Sequence, residues 1–243
     1  MSFPKAGTYP FLCIIHPGMD GTVTVVDSGA ASTQAQLDTA AQQAFTPAIA
    51  ALKAQASTLA AKPVAQTRNA DGSTTFRVDT VGGFVAPSDV QQFFPTRMDV
   101  KVGDTVVFES SVPTPHTVTF LGGTPLPFPP SLEDPKIFGA TPAPAAGYDG
   151  TGYVNSGVIG VGFPAQSFSV KFTKAGAFPF VCILHVDQGM GGLITSGNAA
   201  ITPPATGMAG LVGGTSSAPM AAMLALAAIA LVAGTRVLST RTR

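Results

Sequence analysis

The sequence predicts an all-β fold, a Greek-key β-sandwich, joined to an α-helical linker and a C-terminal transmembrane helix. Three observations carry this expectation. Short apolar stretches are punctuated by turn residues, with 27 Gly and 21 Pro among 243 positions, as in sandwiches made of many short strands. Only 11% of residues are charged, where an ordinary soluble domain has about 25%. Residues 219–234 are uniformly apolar. The formal net charge is zero, from 13 Lys+Arg and 13 Asp+Glu, which excludes a nucleic-acid partner because neutralising phosphates needs a basic excess.

Residues 1–28 hold one copy of an internal repeat. Phe3 to His16 (FPKAGTYPFLCIIH) aligns with Phe172 to His185 (FTKAGAFPFVCILH), and nine of the fourteen positions are identical. Both cysteines of the chain, Cys13 and Cys182, are followed three positions later by a histidine, His16 or His185, and then by Met19 or Met190. The two copies read C-x2-H-x2-M and C-x2-H-x4-M. Each then returns into an apolar strand, Thr22 to Val26 or Leu193 to Thr195.

Residues 29–72 read as a helical linker. From Ala30 to Ala61 the composition is rich in Ala and Gln, and Leu37, Phe45, Ile49, Leu52 and Leu59 recur at weakly amphipathic spacing. Ser32 is the expected N-cap, and Thr46-Pro47 either starts a second helix or kinks a single one. Pro63 stops the helix, and Asn69-Ala-Asp-Gly72 makes a turn. Residues 73–198 then form the complete sandwich domain, with strands expected at 74–81, 97–102, 105–110, 116–121, 167–173, 178–183 and 192–196. Gly103-Asp104 turns between two of them. A Pro/Gly-rich stretch at about 121–165 stands out as an insertion of unassigned effect.

Residues 199–217 form a Gly/Pro/Ala/Ser/Thr linker, and 218–238 the membrane span. With Arg236 snorkelling, this segment reaches the ~20 residues that cross a bilayer. Arg241 and Arg243 lie in the basic tail 239–243, so the positive-inside rule puts the C-terminus in the cytoplasm and the sandwich on the extracytoplasmic side. A buried core helix and a cleaved sorting signal are the alternatives for this segment.

Thiolate, imidazole and thioether make a soft donor set that suits copper, and two His with one Cys and a weak axial Met is the blue-copper arrangement. One loop supplies Cys182, His185 and Met190, so the second imidazole must come from elsewhere, and His116 is the remaining candidate. His116, Val118 and Phe120 share one strand face, as do Phe178, Phe180 and Cys182, so both ligands extend rows of core residues and can meet at one end of a sandwich. Gln188 is the alternative to Met190 for the axial place, and a disulfide between Cys13 and Cys182 is the alternative use of the cysteines.

Residues 73–198 resemble the cupredoxins, blue copper proteins of the plastocyanin/azurin type. The resemblance rests on Val100-Lys-Val-Gly-Asp-Thr-Val-Val-Phe108, on Pro115-His116-Thr-Val, and on Gly176-x-Phe-x-Phe-x-Cys182-x-x-His185-x4-Met190. It implies one type 1 copper held by His116, Cys182, His185 and Met190, one-electron transfer, and a redox protein docking near His185. Two features depart from the pattern: the 66 positions from His116 to Cys182, and Thr117 where plastocyanins usually have Asn. In the same terms residues 1–28 are the final strands and ligand loop of a partial cupredoxin unit. Cys13, His16 and Met19 form an incomplete second site lacking its own second histidine. Truncation of a longer two-unit protein is the simplest explanation, since the start also lacks a basic region followed by an apolar signal stretch; an accessory hairpin is the alternative.

Enzymatic turnover is not expected. Multicopper sites need further histidines, and no Ser-His-Asp or paired-carboxylate context is present. The alternative to electron transfer is a copper store or delivery protein at the cell surface.

Overall fold

The computed structural model describes residues 2–14, 18–29, 31–79, 81–86, 88–126 and 135–197. In chain order the elements are strands β1 (Gly7–Leu12) and β2 (Asp20–Val25), helix α1 (Gln34–Ala60), and strands β3 (Ala65–Arg68), β4 (Thr74–Val78), β5 (Val81–Val85), β6 (Ser88–Phe93), β7 (Arg97–Val100), β8 (Thr105–Glu109) and β9 (Thr119–Phe120). The one-turn helix α2 (Pro135–Phe138), strands β10 (Val154–Asn155), β11 (Ser167–Lys171) and β12 (Gly176–Val181), a 3-10 turn (Ile183–His185) and β13 (Gly191–Ser196) follow.

Two sheets enclose the core. One runs β10-β9-β12-β13-β7 and the other β11-β8-β4-β3, with β13–β7 and β4–β8 parallel and the other pairs antiparallel. In β8, β11 and β12 the period-2 alternation turns one row inward. Val106 and Phe108 of β8, Phe168 and Val170 of β11, and Phe178 and Phe180 of β12 are buried in one cluster. Phe108 of one sheet meets Phe120 and Phe180 of the other edge-on, with ring centroids 6.3 and 5.2 Å apart, the geometry aromatic quadrupoles prefer.

The turn between β7 and β8 is locked by Asp104. Its buried carboxylate accepts the backbone N–H of Thr74 at 2.7 Å and of Lys101 at 2.8 Å, tying the start of β4 to that turn. Asp104→Ala is expected to lose about 1.5–3 kcal/mol, the range for hydrogen bonds to a charged group, measured as a lower urea midpoint at unchanged slope.

Helix α1 is continuous through Pro47, so the single-helix alternative holds. Its N-cap is Thr33 rather than Ser32, because Thr33-x-x-Gln36 closes a capping box: the Thr33 side chain accepts Gln36 N–H, and Gln36 accepts the Thr33 N–H at 2.9 Å. The end of α1 packs on the β5–β6 hairpin, while Leu37, Phe45 and Ile49 stay exposed. Two corrections to the expected elements arise here. The stretch read as a helical linker carries β3, which pairs with β4 and adds a strand to the sheet. The unassigned residues between 81 and 97 form β5 and β6, a pair whose register shifts between Val81 and Gly83. Among the described residues no helix is long and apolar enough to cross a membrane, and the span expected at 218–238 lies outside them.

Candidate metal centre

The donors stand at element ends: Cys182 directly follows β12, His116 precedes β9 in an isolated bridge rather than in the strand expected from 116, and His185 ends the 3-10 turn. Phe178, Phe180 and Cys182 all enter the core, as their shared parity predicts. His116 is held opposite by a two-way backbone bridge: its N–H donates to Ile159 O at 3.1 Å, and Ile159 N–H donates to His116 O at 2.8 Å. One donor atom each from His116, Cys182 and His185 lie within 4.8 Å of one another, all three residues being buried. Cys182 Sγ is 3.4 Å from His185 Nδ1, and the two imidazoles have centroids 5.1 Å apart.

These separations fit a single first-row ion. With metal–N and metal–S lengths of about 2.0–2.3 Å, three trigonal donors stand roughly 3.5–4 Å apart. The chemistry agrees as well as the spacing, since two imidazoles and a thiol make a soft set that suits copper. Burial pushes the Cys182 thiol up from its ordinary value, against the N–H groups of Thr117, His185 and Leu184, which favour the thiolate. A bound cation reverses that balance by replacing the proton. The cluster can therefore bind one copper.

The supports differ for each donor. Thr114 Oγ1 engages His116 Nε2 at 3.2 Å, and Gly82 presses against the same edge of the ring. Thr117 N–H donates to Cys182 Sγ at 3.3 Å. The ligand loop is closed by Cys182 N–H donating to Met190 O at 3.0 Å, and by His185 O accepting from Met190 N–H at 3.1 Å and from Gln188 N–H at 3.2 Å. Met190 is buried in the same cluster as Cys182, whereas Gln188 is exposed. His185 is 6% exposed against 0% for His116 and Cys182, so of the three it lies nearest the surface.

The N-terminal hairpin resembles this loop in part. Cys13 N–H donates to Met19 O at 2.8 Å, as Cys182 does to Met190. The Phe11 ring lies on Gly21 as the Phe180 ring lies on Gly192; an added Cβ would meet either ring at 2.4 Å. Here the hairpin β1–β2 has Phe11, Leu12 and Met19 exposed, and Cys13 is half-buried. His16 lies outside the described residues, among which the only metal-holding group of this kind is that of His116, Cys182 and His185.

Sequence reasoning missed the polar packing around the donors. Thr119 and Asn155 are wholly buried beside Thr117. Their only signal was the alternation Thr117, Thr119 against Val118, Phe120, which reads equally as a solvent face.

Residues 84–197 match the profile of the copper binding proteins of the plastocyanin/azurin family. Plastocyanin from Scenedesmus fuscus is 26% identical over 110 residues, spanning 45% of this chain and 91% of the plastocyanin. Among solved structures, an amicyanin variant in the Cu(I) form is similar at 19% identity and a TM-score of 0.32, covering 53% of this chain and 85% of amicyanin. An oxidized amicyanin variant is similar at 17% identity and a TM-score of 0.32, covering 56% of this chain and 100% of amicyanin.

Proposed function

We propose that the chain, whose residues 84–197 match the copper-binding plastocyanin/azurin family, is a cupredoxin and a one-electron carrier that performs no substrate chemistry. The observation that carries this reading is the buried triad His116, Cys182 and His185, with donors within 4.8 Å. Copper, when bound there, supplies a Cu(II)/Cu(I) couple. His116, met by Thr114 through Nε2, would offer its other ring nitrogen, and His185 the Nδ1 that lies 3.4 Å from Cys182 Sγ. The thioether of Met190, buried in the same core cluster as Cys182, would be the fourth donor.

The protein's contribution is to keep these donors in place. Close-packed interiors resist rearrangement, and each donor is fixed by a strand, a bridge or the 3-10 turn. The same geometry then serves both charge states, and little reorganisation opposes transfer. The Thr117 N–H withdraws electron density from the sulfur, one of the means by which such sites set their potential. A redox protein docks where His185 approaches the surface.

The domain works on the extracytoplasmic side of a membrane, held by residues 218–238 with the basic tail inside. The support is the apolar run 219–234 followed by Arg236, Arg241 and Arg243. Fractionation of the full chain is expected to leave it with membranes after a high-salt wash and to release it with detergent; recovery in the salt wash contradicts the tether.

The carrier reading is tested by rapid mixing. The reduced, copper-loaded full chain is expected to give its electron to an added one-electron acceptor while retaining its copper. Release of copper to a chelating acceptor without electron transfer would instead establish a store.

A further inference from the structure

We propose that Asn155, in the long insertion between β9 and β11, is a positioning residue for the copper loop, acting through a buried relay of two threonine hydroxyls. The inference rests on the copper-site reading above and assigns the insertion a part in it.

The relay is continuous and buried. Ile183 N–H donates to Thr117 Oγ1 at 2.9 Å, Thr117 Oγ1 lies 3.1 Å from Thr119 Oγ1, and Thr119 donates to Asn155 Oδ1 at 2.8 Å. Thr117, Thr119 and Asn155 are all 0% exposed. At its far end the Asn155 amide faces the carbonyls of Lys136, Ile137 and Gly139 at 2.8, 3.2 and 3.1 Å.

Those carbonyls fix the direction of every bond in the chain. They can only accept, so the NH2 of Asn155 must point at them and its Oδ1 must point at Thr119. Thr119 therefore spends its proton on Asn155, and the proton between the two hydroxyls must come from Thr117. The lone pairs of Thr117 Oγ1 are thereby committed to accepting Ile183 N–H, the first donor of the 3-10 turn that carries His185. Helix-start donors have no partner within their own turn, so an external acceptor orients them. The same Thr117 donates its backbone N–H to Cys182 Sγ. One residue thus grips both sides of the Cys182–Ile183 peptide, and Asn155 sets its polarity from 36 positions away from Thr119. The backbone bridge between Thr141 and Asn155, 2.8 Å in both directions, secures the insertion's end of the relay.

Thr119→Val cuts the relay with little change of shape, and Thr119→Ser restores the hydroxyl. In the copper-free full chain, hydrogen exchange of the Ile183 amide is expected to speed up about tenfold in Thr119→Val, the loss of roughly one buried hydrogen bond, and to return toward the unaltered rate in Thr119→Ser. In the copper-loaded chain, Thr119→Val should shift the thiolate-to-copper absorption and lower the reduction potential, because the N–H···S bond loosens. Unchanged Ile183 exchange and an unshifted absorption band, with only a lower melting temperature, would reduce Asn155 to a structural residue and overturn the proposal. If Thr119→Val does not fold, the unaltered protein decides: with rising urea, the Ile183 amide should open together with those of Thr141 and Asn155. Opening of Ile183 at lower urea than the insertion contradicts the relay. Since exchange is read without copper, a failure of the copper reading and a failure of the relay are told apart.

Discussion

Replacing Cys182 by serine is expected to abolish the intense visible absorption of the Cu(II)-loaded chain, while Cys13→Ser leaves it unchanged. The band requires a thiolate bonded to copper, and among the described residues only Cys182 has two imidazoles beside it. Serine keeps the shape but offers an alkoxide precursor far harder to deprotonate, in a pocket that already resists ionising the thiol. Copper affinity should fall by more than the roughly 10–100-fold typical of losing a supporting partner outside the ligand set. The fold should persist, because Cys182 is fully buried and serine fits its space. Far-ultraviolet circular dichroism together with a copper titration separates loss of the site from loss of the domain. A band that survives in Cys182→Ser and disappears in Cys13→Ser would move the centre to the N-terminal copy.

The second large effect falls on a residue that offers no donor at all. Gly82 has φ +79°, and a Cβ there would stand 2.4 Å from His116 Nε2 and 3.0 Å from two ring carbons. Gly82→Ala is therefore expected to lose about 1–2 kcal/mol from the left-handed backbone, and about 1–3 kcal/mol more from overpacking against a buried ring that cannot retreat. His116 is pinned on that edge by Thr114, so the displacement should reach the metal side and weaken copper binding as well. Gly103→Ala is the comparison: φ is +95° there, with nothing within 4 Å of the added atom. It should show the backbone cost alone and leave the absorption band untouched. Equal urea midpoints for the two variants would mean that Gly82 does not brace His116.

The donors were legible in sequence because their rows obey a two-residue period. Phe178, Phe180 and Cys182 read as one inward face and are one. His116, Val118 and Phe120 read the same way, and all three are buried. The opposite row was misleading. Thr117 and Thr119 look like a wet face, yet the insertion covers them, and hydrogen bonds to Asn155 and Ile183 satisfy their hydroxyls. Nothing local to residues 117–119 announces a partner 36 positions on. The β5–β6 hairpin was hidden for a different reason: consecutive glycines carry no side chains to mark an inward row, whereas here Gly82 is small so that a strand can pass over the His116 ring. Strand β3 escaped because its four residues are all exposed, leaving no apolar alternation to detect.

X-ray absorption at the copper edge of the loaded full chain bears most directly on the central claim. A centre built by His116, Cys182 and His185 predicts one short sulfur bond and two imidazole nitrogens around copper, with the same donors and nearly the same distances in the oxidised and reduced forms. A spectrum with only nitrogen and oxygen neighbours, or one in which the sulfur bond is lost on reduction, would contradict it.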